Sequence, residues 1–101
     1  MKTGFQLWQE HLQASFPDGY RGAEIKGIEL VMLDSFTAGC IDSYYTKSGN
    51  SRPLDPKNHQ ILADCAKDLK VVVPELQGYP KQYFERLLTI SEAILSALQS
   101  S

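Results

Sequence analysis

No run of roughly 18 apolar residues occurs in the 101-residue chain, so a membrane-spanning helix is excluded. Charge of one sign is equally scarce. Ten Lys and Arg stand against twelve Asp and Glu, for a net charge of −2. The charges are spread evenly, with five basic and six acidic side chains in each of the stretches 1–53 and 54–101. The basic stripe of a nucleic-acid binder is therefore missing. Met1–Gln6 opens no apolar stretch of signal-peptide length, and cysteine is limited to Cys40 and Cys65. The expectation is a soluble, cytoplasmic protein in a reducing compartment, with both thiols free and buried. Reaction motifs are also absent. His11, Cys40, His59 and Cys65 show no CxxC, HxxxH or HExxH spacing. No G-x-S-x-G elbow occurs, and Gly19, Gly22 and Gly27 lead to no Lys-Ser or Lys-Thr. No catalytic residue, metal ion or cofactor is expected on these grounds.

What the chain does have is helical periodicity. Phe5, Trp8, Leu12 and Phe16 recur at three- and four-residue spacing and share one arc. They predict a helix over about 5–16, ended by Pro17-Asp18-Gly19. Residues 17–27, with three glycines and one proline, read as an irregular connection. A second helix is predicted over about 28–45, with Ser35, Gly39, Asp42, Ser43 and Thr46 on one side and apolar residues over most of the rest. So wide an apolar arc places it centrally, against more than one neighbour. Gly39 costs about 1 kcal/mol relative to Ala in a helix interior, and close approach of a second backbone is one reason to keep it. Ile28–Leu33 and Lys70–Val73 also fit short strands, but the second helical pattern runs unbroken for longer than a strand does.

Asp55 as N-cap and Pro56 at the first helical position announce a third helix over about 56–73. Its apolar face carries Ile61, Leu62, Cys65, Leu69 and Val72, and Pro74 stops or kinks it. A fourth helix is predicted over about 80–99, with Tyr83, Phe84, Leu87, Ile90, Ile94 and Leu98 inward. Ser100 and Ser101 are expected to fray. The fold expected is all-α, a compact four-helix bundle forming one domain over 1–101.

One side chain contradicts its surroundings. Asp34 falls inside the apolar arc of the second helix, beside Leu30, Ala38, Ile41 and Tyr45. A buried carboxylate must be paired, hydrogen-bonded or protonated. Arg86, Arg52, Lys26 and Tyr83 are its candidate partners, and a structural anchor is a simpler reading than a site acid of raised pKa. Tyr44, Tyr45, Tyr79 and Tyr83 read as core or interface aromatics.

The segment Gly27–Ile41, Leu54-Asp55 and the run Tyr83-Phe84-Glu85-Arg86-Leu87 resemble small uncharacterised bacterial proteins that carry a Leu-Asp-x-x-Thr-Ala-Gly-Cys segment. The likeness spans about residues 27–95. It implies a bacterial cytoplasmic origin, points to no particular activity, and marks Asp34, Thr37, Gly39, Cys40 and Arg86. Asp34, Thr37, Cys40 and Arg86 are thus the candidate binding residues. The functional expectation is a protein–protein interaction or regulatory module, forming a homodimer or meeting another protein, with no nucleic-acid or membrane partner. A small-molecule-binding or enzymatic domain centred on Asp34 is the alternative.

Overall fold

The computed structural model describes residues 2–99, and the expected fraying of Ser100 and Ser101 lies outside them. The chain is an all-α four-helix bundle. Its helices are α1 (Gly4–Leu12), α2 (Leu30–Tyr44), α3 (Pro56–Val72) and α4 (Gly78–Gln99). A two-stranded antiparallel hairpin, β1 (Glu24–Ile25) and β2 (Ile28–Glu29), precedes α2. Among the described residues, no helix is long and apolar enough to cross a membrane.

Local chemistry sets two of the four helix starts, those of α1 and α3. Thr3 accepts from the Gln6 amide at 3.1 Å, and the Gln6 side chain accepts from the Thr3 amide at 2.8 Å, a complete capping box. Asp55 accepts from the Asn58 amide at 2.7 Å, with Pro56 following it as the sequence predicts. The α-helical ladder of α3 ends at Val72. Pro74 then sits in a 3-10 turn, Val73–Glu75, that adds one turn before the chain leaves.

Besides α4, which begins at Gly78 rather than near Pro80, two boundaries differ from the sequence expectation. Helix α1 stops at Leu12 rather than near Phe16. Pro17 has no amide to return to the Gln13 carbonyl, and it disfavours helical geometry at Phe16. Gln13 accordingly becomes the C-cap, its amide donating to the Glu10 carbonyl at 3.1 Å and the next amide, of Ala14, to the His11 carbonyl at 3.0 Å. Leu12 is then 59% exposed, and His11 rather than Leu12 joins Trp8 as a buried residue of α1.

The second difference lies at the start of α2. Ile28 and Glu29 form β2, not helix. The turn that returns the chain is Lys26-Gly27, with φ of 52° and 83°. Two consecutive positive φ values are the mark of a type I′ hairpin turn, whose twist matches the paired strands.

The core is continuous across all four helices. Leu30, Ile41, Leu62, Leu69, Phe84, Leu87 and Ile90 are fully buried within it. Helix α2 packs on both α3 and α4, as its wide apolar arc implies, but the central place belongs to α4, which packs against α1, α2 and α3. The buried arc is nevertheless narrower than the apolar one. Met32 and Phe36, one turn apart, remain 48% and 53% exposed. Gly39 lies on the open side of α2, and a Cβ there would meet nothing within 4 Å. The idea that Gly39 admits a second backbone is thereby corrected.

Candidate functional site

Asp34 projects from α2 toward α4. The Tyr83 hydroxyl donates to Asp34 Oδ1 at 2.8 Å, which selects Tyr83 from the four partners the sequence offered. Burial raises the Asp34 carboxyl above its ordinary range, and the Tyr83 hydrogen bond pulls partly the other way. Tyr83 itself is 5% exposed. Its hydroxyl is pushed far above the usual phenolic range, first by burial and then by the Asp34 carboxylate that it serves as donor. It is held as a donor and is no acid near neutral pH.

Arg86 turns elsewhere. Its Nε donates to His11 Nδ1 at 3.0 Å, joining α4 to α1. His11 is 5% exposed, and its pKa falls to about 4, first through burial and then through the nearby Arg86 cation. The imidazole is therefore neutral near pH 7. Because Nδ1 accepts from Arg86, the ring proton resides on Nε2. Nε2 is buried and has no hydrogen-bond partner. The ring lies between aromatics: its centroid is 4.3 Å from Tyr83 and 6.1 Å from Trp8, nearly parallel to the latter.

Asp34, Tyr83, His11 and Arg86 thus form one relay of contacts across α2, α4 and α1. The sequence marked Asp34 and Arg86 but gave no sign that His11 links to them. His11 lies three residues after Trp8, at the edge of the apolar arc of α1, and the packing of α1 on α4 buries it. Chemically the cluster is quiet. Asp34 is occupied by a hydroxyl, His11 has its lone pair filled, and Tyr83 keeps its proton. Arg86 also lines a surface groove of about 240 Å³, with Glu10 and Glu85 among its walls.

Thr37 and Cys40, the other two candidate residues, belong to a different interface. Thr37 is fully buried and donates to the Leu33 carbonyl at 2.6 Å. Cys40 Sγ lies 3.6 Å from the Asn58 carbonyl at the start of α3. Cys40 and Cys65 are free and buried thiols. Burial raises both, with Cys65 and Asp55 adding to the rise at Cys40; at Cys65 the Thr37 hydrogen bond opposes it. Thiols held protonated and covered make poor nucleophiles. Among the described residues, no group of three or more His, Cys, Asp or Glu side chains could hold a metal ion.

The remaining feature lies on the surface between α2, α3 and the hairpin. Met32 and Phe36 border a groove of about 390 Å³ with Cys65 among its lining. Glu24 and Glu29 from the hairpin and Asp68 from α3 also line it. Periodicity hinted at this face through the surplus of apolar positions on α2, but it could not say which of them the bundle leaves open. Compared with known proteins, the chain matches no family model, no curated protein and no solved structure.

Proposed function

We propose that this chain is a protein-interaction module that works through the outer face of α2. The observation that carries the reading is the exposure of Met32 and Phe36, 48% and 53%, one helical turn apart beside a formed groove. Large apolar side chains grouped in this way on a small bundle fit association better than chemistry. The occupied state of Asp34 and the neutral state of His11 support the same reading over an enzymatic one. Free, buried Cys40 and Cys65 support a reducing, cytoplasmic setting.

Self-association is one form such contact can take, another protein being the other, and sedimentation across the micromolar range separates them. The decisive test places a photo-crosslinking phenylalanine analogue at Phe36 in the producing cells, with Lys57 as the control position on another face. A discrete adduct from position 36, lost when Met32→Ser is added, supports the module. Equal or absent adducts from both positions refute it.

A further inference from the structure

The groove beside Met32 and Phe36 carries a charge conflict. Glu24 and Glu29 are directly opposed across the hairpin. The two-residue turn makes Ile25 and Ile28 the first hydrogen-bonded pair, and the Leu30 amide donates to the Ala23 carbonyl at 3.1 Å. Glu24 and Glu29 therefore occupy the intervening non-hydrogen-bonded slot, where opposed side chains stand closest. Directly opposed like charges destabilise a strand pair. The nearest cation in sequence, Lys26, is turned away to Glu75 at 3.6 Å. Asp68 adds a third carboxylate from α3 to the same groove. Among the described residues, none of the three has a salt-bridge partner; the bridges are Lys2–Glu10, Lys26–Glu75 and Lys70–Glu92. The helix dipole accounts for Glu29, which is the N-cap residue of α2. It does not account for Glu24.

We infer that the groove receives a basic amphipathic helical segment of another protein, which sets an apolar side chain against Met32 and Phe36 and places Lys or Arg over Glu24, Glu29 and Asp68. The inference rests on the interaction reading above and names its partner's chemistry. An apolar floor with an unpaired acidic rim complements that segment in polarity and charge. A second copy fits poorly, because a two-fold contact through this face would bring the acidic rim onto itself.

The test uses the full chain and two synthetic helical peptides. Both carry Leu and Phe at i, i+4 and i+7; the polar face of one is Lys and of the other Glu. Fluorescence anisotropy is expected to show the Lys peptide binding at least about tenfold tighter at low salt, and the advantage shrinking as salt shortens the Debye length to about 8 Å. The Glu24→Lys, Glu29→Lys, Asp68→Lys triple variant is expected to reverse the preference. Met32→Ser with Phe36→Ser abolishes binding of both peptides. Glu24→Lys alone is expected to raise Tm while weakening the Lys peptide, so lost binding is not lost folding.

Equal binding of the two peptides, still dependent on Met32 and Phe36, overturns the charge inference and leaves the interaction reading standing. Binding that ignores Met32 and Phe36 overturns both. Failure to bind either peptide, or a Phe36-dependent dimer in sedimentation, overturns the basic segment as the occupant.

Discussion

Acidification from pH 7 to pH 5 is expected to weaken the fold through His11. Its pKa is 6.5 in an open chain and about 4 in the folded one, because burial and Arg86 both oppose a positive charge there. The fold thus favours the neutral ring. That contribution is complete above about pH 6.5 and is lost as the pH falls from 6.5 toward 4. The gap between the two values is worth about 3 kcal/mol in full. At pH 5 the loss is about 2 kcal/mol, since the unfolded imidazole is then almost wholly protonated and the folded one almost wholly neutral. Protonation would also replace the acceptor of Arg86 Nε with a second cation. Asp34 runs the other way: its raised pKa favours the protonated form in the fold, so its contribution is present at low pH and lost as the pH rises through the folded value. Asp34→Asn removes that opposing contribution. The assay is urea unfolding followed by circular dichroism at pH 7 and pH 5. With a slope of about 1–3 kcal/mol per molar urea, the midpoint of Asp34→Asn falls by about 1 M. The double variant with His11→Gln keeps an acceptor for Arg86 without titrating, and its midpoint should move far less. Equal losses in the two proteins would refute the placement of a neutral, buried His11.

Other consequences are simpler to read. Tyr83→Phe leaves Asp34 half-buried without its 2.8 Å donor and is expected to cost about 1–3 kcal/mol. The same change lifts the Asp34 pKa further, which a carboxyl NMR titration follows. Gly39→Ala is expected to stabilise by about 0.5–1 kcal/mol, because the site is mid-helix, exposed and open for 4 Å around; thermal melting checks the sign. Gly49→Ala should lower Tm instead, since φ there is 90° and a Cβ would lie 3.1 Å from the Phe5 ring.

Much of the fold is legible in the chain because local rules and global packing agree. Asp55-Pro56 marks the start of α3, and Pro74 marks its end, through backbone chemistry that needs no tertiary context. The hairpin is different. Its turn is Lys26-Gly27, and lysine is no signal for a left-handed position, so a reading of dipeptides passes over it. The end of α1 is different again. Leu12 continues the apolar spacing and yet is exposed, whereas His11, a polar residue three positions after Trp8, is buried. Periodicity ranks positions by polarity, and burial at the margin of an arc depends on where the neighbouring helix lies.

The candidate site follows the same division. That Asp34 needed a partner was readable, because a carboxylate among apolar residues is costly wherever the helix docks. That Tyr83 answered it, and that Arg86 went to His11, was set by the rotation of α4 against α1 and α2. Thr37 and Cys40 share a helix with Asp34 but face α3, a separation of environment that linear spacing blurs.

By itself the sequence determined helices, their order and the side of each that avoids water, since these depend on propensity, capping and spacing along one chain. Only the tertiary structure decided which apolar residues of α2 stay uncovered and which carboxylates gather around them. Met32, Phe36, Glu24, Glu29 and Asp68 come from four elements, β1, β2, α2 and α3, and their grouping follows from packing geometry rather than from any local pattern.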